Sequence, residues 1–307
     1  MRCRNLASNW FYFSKGEKFK MIKKVTVYQK PDKSDAFTMV LTDPTNVSEK
    51  TGFAIDSIDG IGPVEADINT TEMVVDGDLF NSSRIGKRNI VLDLIFYSET
   101  GTGIEDVRQK SYKLFPTKKL VYVEIETDNR TLWTKGYVEK NEPDIFQENE
   151  STQVSIICPD PKMYSVEGQE EILTIGNTTV EYEGEVEVGT VIIFTVDSTI
   201  EKPVAQGVPA FTISCSKPDG STQSIDIFTP SNGFHAGDTI TISSVTGDKY
   251  AIWTEDGTDV DHNALHLISQ NPDWITLEEG ENNIQIVDAD SALSSVTMTN
   301  SICFEGV

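Results

Sequence analysis

The chain has 307 residues, of which 38% are hydrophobic and 24% charged, values that suit a soluble globular protein of about two domains. Its formal net charge of −24 argues against direct binding to nucleic acid, which needs Lys and Arg against the phosphates. No apolar run approaches the roughly 18 residues of a membrane-spanning helix, so a transmembrane protein is disfavoured as well.

Residues 1–20 differ from the rest of the chain because they are basic and aromatic. They lack the apolar core of about 7–15 residues that defines a signal peptide. Met21 then opens a strand-like run, and Lys15-Gly16-Glu17 can be encoded by a purine-rich, ribosome-binding sequence just upstream. The sequence therefore predicts that translation starts at Met21 and that residues 1–20 are a non-native or disordered extension. A genuine N-terminal arm is the alternative.

Residues 21–165 combine strand patterns with one helix. Apolar residues alternate with polar ones around Val25 and Val27 and again over residues 90–96, which indicates half-buried strands. Further strands are predicted at 120–127, 131–139 and 152–158. Residues 60–77 are rich in Gly, Asp and Thr and predict a loop with a short hairpin.

The predicted helix covers residues 103–115, with Thr102 and Glu105 placed as a capping box and Pro116 ending it. Its apolar face consists of residues at spacings of three and four, namely Ile104, Val107, Ser111, Leu114 and Phe115. One helix laid on a sheet makes this half a β-rich α+β domain.

Pro159-Asp160-Pro161 breaks the strand pattern, and the domain boundary is predicted near Ser165. Beyond it the chain reads as all β, a sandwich or jelly roll built from many short strands. The strand candidates are residues 171–175, 180–187, 191–196, 210–216, 224–228, 239–244, 250–254, 283–287 and 295–300. The predicted fold class is thus mostly β, with domains at 21–165 and 166–307.

The four cysteines, Cys3, Cys158, Cys215 and Cys303, form no C-x-x-C pair, so a zinc ribbon or a redox pair is disfavoured. If residues 1–20 are not native, three remain, an odd number that fits reduced thiols. We expect them to act as small buried hydrophobes.

Two clusters could in principle bind metal. His262 and His266 are four residues apart and would share one face of a helix, but the H-E-x-x-H glutamate and a third ligand are missing. Residues 256–261 contain Asp256, Asp259 and Asp261, yet they do not follow the EF-hand pattern. We therefore predict no metal site, no cofactor and no catalytic site, because nucleophile elbows, phosphate loops and dinucleotide fingerprints are also missing.

The order of four landmarks is the basis of a family resemblance. They are the runs at residues 84–92, 158–164, 209–213 and 277–284. Taken together over residues 21–307, they make the chain resemble the distal tail protein family of siphophages. The resemblance implies a non-enzymatic virion protein at the tail tip, made in the cytoplasm of the bacterial host.

The resemblance also implies an architecture and a set of partners. Residues 21–165 would form a hexameric ring between the tail-tube protein and the tail-associated hub protein, and DNA would pass through its channel without specific binding. Residues 166–307 would be a galectin-like sandwich that can dock a receptor-binding protein. Because the sequence of this half reads as a self-contained sandwich, we expect it to be dispensable for ring closure. An intact phage and a phage-derived tail-like particle would use the same part.

The alternative function is a carbohydrate-binding adhesion module that recognises host cell-wall saccharide. Sugar-binding sandwiches stack a pyranose ring on an exposed aromatic side chain. Trp274, which follows Pro272-Asp273 in a predicted loop, is the better candidate contact, and Trp253 is the second. Trp253 alternates with Ala251 in a strand pattern, and a position in the core is the alternative for it.

Overall fold

The fold is mostly β, as predicted. The computed structural model describes residues 22–40, 52–97, 103–144, 150–200, 207–258, 260–288 and 291–307. The proposed extension at 1–20, including Cys3, lies outside the described residues. No helix within these ranges is long and apolar enough to cross a membrane.

The first half of the chain forms a curled antiparallel sheet with one helix. Its elements are β1 (Ile22–Tyr28), β2 (Phe37–Val40), β3 (Phe53–Asp59), β4 (Ala66–Glu72), β5 (Asp78–Ile85), β6 (Arg88–Phe96), α1 (Ile104–Leu114), β7 (Leu120–Thr127), β8 (Thr131–Asp144) and β9 (Ser151–Cys158). The strands of the main sheet lie in the order β2-β1-β7-β8-β9-β6-β3. The two outer strands, β2 and β3, lie close to each other. The rings of Phe37 on β2 and Phe53 on β3 contact edge to face, with their centroids 5.7 Å apart.

Helix α1 covers the apolar interior of this sheet. Val107 and Ser111 are buried, as is Phe115 just beyond the helix, so the predicted apolar face is confirmed. The predicted capping box is wrong, because the N-cap residue is Gly103 and makes no side-chain cap hydrogen bond. Thr102 itself lies outside the described residues.

The second half forms two sheets whose inner faces share one hydrophobic core. Its elements are β10 (Met163–Ser165), β11 (Gln169–Leu173), β12 (Gly176–Tyr182), β13 (Val188–Val196), β14 (Phe211–Ser216), β15 (Thr222–Ile227), β16 (Thr239–Ser243), β17 (Tyr250–Thr254), β18 (Asp261–Asn263), a 3-10 turn (Leu265–Leu267), β19 (Thr276–Leu277), β20 (Gly280–Asp288), β21 (Leu293–Asn300) and β22 (Cys303–Phe304). All nine strand candidates of this half are present, with ends shifted by a few residues.

The two sheets have the strand orders β11-β21-β13-β16-β17-β18 and β12-β20-β14-β15. Phe194 on β13 and Phe211 on β14 stack with ring centroids 6.3 Å apart, which joins the two sheets across the core. The predicted sandwich-like arrangement is therefore confirmed.

The segment between the two halves belongs to the first sheet. Tyr164 on β10 pairs with Trp133 on β8 and with Cys303 on β22. The C-terminal strand thus returns from the sandwich to the sheet of the first half. The predicted division into domains at Ser165 stays a prediction, but residues 163–165 are not a free linker.

Candidate assembly surface and junction

A two-stranded ribbon protrudes from the first half of the chain. It consists of β4, β5 and the turn between them, residues 66–85, and is called the ribbon below. Its strands pair with each other and form a sheet of their own. Every residue of both strands is exposed. The sequence predicted a short hairpin within residues 60–77, and the structure extends it to Ile85.

The ribbon is amphipathic. Because alternate residues of a strand share a face, Ile68 lies on the same face as Thr70. Thr70 pairs with Phe80, so Phe80 lies on this face too. Ile85, paired with Ala66, lies on this face as well. The exposed fractions of the three large apolar residues are 61% for Ile68, 60% for Phe80 and 53% for Ile85.

The opposite face of the ribbon is mostly polar and internally bonded, although Leu79, which pairs with Thr71, is 55% exposed there. Arg84 Nη2 lies 3.1 Å from Asp67 Oδ2, and Asn81 Nδ2 donates to Thr71 Oγ1 at 2.7 Å. Together with the hydrogen bond from Thr70 Oγ1 to Asp78 Oδ2 at 3.1 Å, these cross-strand contacts stabilise the pairing of the two strands. A small, exposed, two-stranded ribbon with an uncovered apolar face has the character of a docking element.

The tip of the ribbon, residues 72–78, carries a second apolar group. Met73, Val74 and Val75 are all exposed there. They lie between Glu72 on one side and Asp76 on the other. The tip is therefore an apolar patch flanked by carboxylates.

Arg88 lies buried at the base of the ribbon and joins its own strand, β6, to three other segments of the chain. Its guanidinium donates to the carbonyl oxygens of Gly60 at 2.6 Å, Gly62 at 2.7 Å, Pro161 at 2.7 Å and Glu305 at 2.5 Å. These carbonyls belong to the segment leading into the ribbon, the connection between the halves, and the C-terminal tail. One side chain thus holds the ribbon base, the junction and the tail together.

The charge of Arg88 is stabilised by carbonyl dipoles. The side chain is almost completely buried, and within the described ranges it forms no ion pair with a carboxylate. Burial lowers the pKa of Arg88 from its ordinary value, but a guanidinium remains protonated under all ordinary conditions. The four carbonyls therefore take the place of the water molecules that the guanidinium loses on burial.

The backbone around Arg88 is closely packed. Gly60 has a φ of +79°, and a Cβ there would overlap the carbonyl of Asn89. Only glycine fits both the left-handed backbone and the close approach. This packing brings the Gly60 carbonyl to the guanidinium of Arg88.

The two candidate saccharide contacts occupy different environments. Trp253 is only 8% exposed and its Nε1 donates to Asp238 Oδ2 at 3.1 Å, so its ring fills the sandwich core. Trp274 is half-buried against the same core, and Lys249 Nζ lies 5.3 Å from its ring centroid. Saccharide contact at Trp274 stays a prediction.

The histidines and aspartates considered for metal binding do not share a helix. His262 lies on β18, and His266 lies in the 3-10 turn that follows. His262 Nε2 is 3.6 Å from Glu255 Oε1. Asp259 lies outside the described residues. Among the residues that the structure describes, no group of three or more His, Cys, Asp or Glu could hold a metal ion.

The cysteines of the described ranges are buried free thiols, as predicted. Cys158, Cys215 and Cys303 are each fully buried. Burial raises the pKa of each thiol from 9.0 to about 11. They are packing residues, since the reactive form of cysteine is the thiolate.

We expect these three thiols to be nearly inert to Ellman's reagent at pH 8 in the folded protein. A pKa raised by two units lowers the thiolate fraction about 100-fold, and burial blocks the reagent further. The measurement uses a Cys3→Ser variant, so that only Cys158, Cys215 and Cys303 are counted. Addition of denaturant should release three fast thiols, and rapid reaction of any thiol before denaturation would contradict the placement.

Comparison with known proteins places the fold. No protein family model matches the chain, and no curated protein matches it. Among solved structures, it is similar to SPP1 Dit, described as a paradigm of the hub adsorption apparatus in phages that infect Gram-positive bacteria. The TM-score is 0.61 at 14% identity, covering 83% of this chain and 95% of that chain.

A second similar structure is a chain of the phage P2 baseplate in its activated conformation with Ca. It has a TM-score of 0.51 at 10% identity and covers 94% of this chain and 100% of that chain. Both likenesses extend over most of the length of this chain, including the two halves described above. The resemblance to siphophage distal tail proteins is therefore confirmed at the level of the fold, which this chain shares with a phage Dit protein and a phage baseplate protein.

Proposed function

We propose that this chain is a structural component of a phage tail tip, a distal tail protein without enzymatic activity. In this role it forms a hexameric ring that joins the tail tube to the hub and to the receptor-binding apparatus. The fold shared with SPP1 Dit and with a phage P2 baseplate chain supports the proposal. The observation that carries it is the protruding amphipathic ribbon.

The ribbon supports self-assembly because it is incomplete by itself. Its apolar face is uncovered by the rest of the described chain, and burial of apolar surface is worth roughly 25 cal/mol per Å². The outer edges of β4 and β5 also carry unpaired backbone groups. A neighbouring copy can cover the face, and a ring provides such a neighbour for every subunit.

The charge of the chain fits a ring around a DNA channel. With 49 acidic and 25 basic residues, a subunit offers carboxylates that repel phosphates and few cations that bind them. DNA would traverse such a channel without adhering to its wall. The same charge makes copies repel one another, and salt screens that repulsion.

We expect the full chain to shift from monomer toward hexamer as salt rises, measured by light scattering. A matched variant replaces residues 67–84 with two glycines that connect Ala66 to Ile85, which are paired neighbours. Because the ribbon contributes to neither hydrophobic core, this variant should keep its melting temperature and remain a monomer at every salt concentration.

Negative-stain microscopy of the full chain with the tail-tube and hub proteins provides the second measurement. Rings are expected with the full chain and not with the ribbon variant. A full chain that stays monomeric at every concentration and salt, and that forms no ring beside these partners, would rule out the proposed role.

A further inference from the structure

The methionines of the described ranges differ sharply in exposure. Three of them are completely buried in the two hydrophobic cores, namely Met39, Met163 and Met298. Met73, at the tip of the ribbon, is 45% exposed. Within the part of the chain that the structure describes, Met73 is therefore the methionine whose side chain small solutes can reach.

The surroundings of Met73 are apolar and open to solvent. Met73 lies in the turn between β4 and β5, and its neighbours Val74 and Val75 are more exposed still. Glu72 and Asp76 flank these three residues. The thioether is thus part of an uncovered apolar patch bordered by two carboxylates.

A peroxide converts such a thioether to a sulfoxide without help from the protein. The sulfur of Met73 attacks one oxygen of hydrogen peroxide, an S–O bond forms and the O–O bond breaks. The sulfur loses two electrons, the peroxide gains them, and the second oxygen leaves as water once the protons have moved to it. Because the sulfur must contact the peroxide, a methionine packed in a core is protected as long as the core stays closed.

The cysteines of the described ranges compete poorly for the same oxidant. Cys158, Cys215 and Cys303 are fully buried, and burial raises the pKa of each thiol to about 11. The thiolate is the form of cysteine that reacts. Peroxide should therefore reach Met73 before it reaches these thiols.

Oxidation would change the chemistry of the tip. A sulfoxide is polar, and its oxygen accepts hydrogen bonds. Burial of such an oxygen without a donor is unfavourable. The flanking side chains of Glu72 and Asp76 cannot supply the donor, because ionised carboxylates only accept. An oxidised tip is therefore a poorer surface for another molecule to cover.

We propose that Met73 is a site of selective, reversible oxidation by peroxide and that its sulfoxide weakens ring formation. The inference rests on the proposed function, in which a neighbouring copy covers the apolar surface of the ribbon. Methionine sulfoxide reductases return the sulfoxide to the thioether, so the change is reversible. Assembled rings should be oxidised more slowly at Met73 than free subunits, because the contact that buries the tip also hides the sulfur.

Peroxide treatment of the full chain tests the selectivity. In a Cys3→Ser background, free subunits at low salt are treated with dilute hydrogen peroxide, and peptide mass mapping locates the added oxygen. We expect Met73 to react at least about tenfold faster than the three buried methionines. Light scattering at high salt should then show that the oxidised chain needs about tenfold more protein to form hexamers.

Two variants assign the effect on assembly to Met73. Met73→Leu has no sulfur, so peroxide should not change its assembly relative to the same variant left untreated. Met73→Gln carries a polar side chain of similar length and should assemble as poorly as the oxidised protein without any peroxide. Met1 and Met21 are present in every variant, so their oxidation cannot produce these differences. Circular dichroism melting confirms that each variant is folded.

Reversal completes the test. Incubation of the oxidised chain with methionine sulfoxide reductases A and B and a dithiol reductant should restore both the mass and the assembly of the untreated protein. Both enzymes are needed because each reduces one epimer of the sulfoxide.

Three results would overturn the inference. Equal rates of oxidation at Met73 and at the buried methionines would contradict the selectivity. Rings that form equally well from fully oxidised chain would show that the sulfoxide does not affect assembly, while the proposed function stands. Equal inhibition of Met73→Leu and of the original protein by peroxide would place the effect at another residue. An untreated chain that forms no ring under any condition removes the proposed function, and the claimed effect on assembly with it, whereas selective oxidation of Met73 is still tested by the mass mapping.

Discussion

Replacement of Arg88 by methionine should lower the free energy of unfolding by about 3 kcal/mol. Methionine has a similar length and fits an apolar site, but it offers no donor to the carbonyls of Gly60, Gly62, Pro161 and Glu305. A buried carbonyl that loses a charged donor loses more than a surface group would, because water does not replace it. Urea unfolding followed by circular dichroism measures the loss.

Arg84→Met is the matched control for this prediction. Arg84 lies on the same stretch of chain, but its side chain and that of its partner Asp67 are largely exposed. Exposed ion pairs contribute less than about 1 kcal/mol, so this variant should unfold near the midpoint of the original protein. Equal losses for the two variants would show that Arg88 does not act through its buried hydrogen bonds.

Much of the fold follows from alternation of apolar and polar residues. Strand β7 has the same bounds, Leu120–Thr127, in the prediction and in the structure, because every second side chain is buried and the pattern is local. The same alternation left a core position open for Trp253, which was also a candidate saccharide contact, and Ala251 and Trp253 are both buried. Where one face of a strand packs on a core, the alternation of apolar and polar residues within the strand is enough to predict it.

The ribbon shows where this signal ends. Its strands have no buried face in the isolated chain, and residues such as Asn69, Thr70 and Thr71 give no strong strand pattern. The sequence therefore predicted a loop and a short hairpin in place of a ribbon that reaches Ile85. Alternation identifies a strand only where one of its faces is buried within the chain itself.

The junction was also missed, for a different reason. Strand β10 has three residues and β22 has two, and their pairing joins positions about 140 residues apart in the chain. No local pattern encodes such a contact. Arg88 lay within one of the landmark runs that carried the family resemblance, yet a single arginine before a strand gives no sign that four carbonyls surround it.

Deletion of residues 303–307 should destabilise both halves of the protein. Cys303 is buried, its backbone N–H donates to Tyr182 Oη at 3.0 Å, and its carbonyl accepts from the N–H of Glu185 at 2.9 Å. At the other end of the tail, the Val307 N–H donates to the Ile61 carbonyl at 2.9 Å. The tail thus fastens the sandwich to the segment that leads into the ribbon.

We expect this deletion to cost about 4 kcal/mol, since it removes a buried side chain, a short strand and one acceptor of Arg88 at once. It should also change proteolysis at the junction. In the full chain, protease should cut slowly and only within the exposed residues 166–168, because Met163 is buried and β10 is paired on both sides. Without the tail, β10 loses one neighbour, and cleavage should become fast and extend toward Pro161.

A Glu305→Ala variant distinguishes the contribution of the tail's backbone to stability from the contribution of the Glu305 side chain. The backbone carbonyl of residue 305 still accepts from Arg88 in this variant, so its unfolding midpoint and its proteolysis rate should match those of the original protein. A truncated chain that melts and is cleaved like the full chain would show that the C-terminal strand does not hold the two halves together.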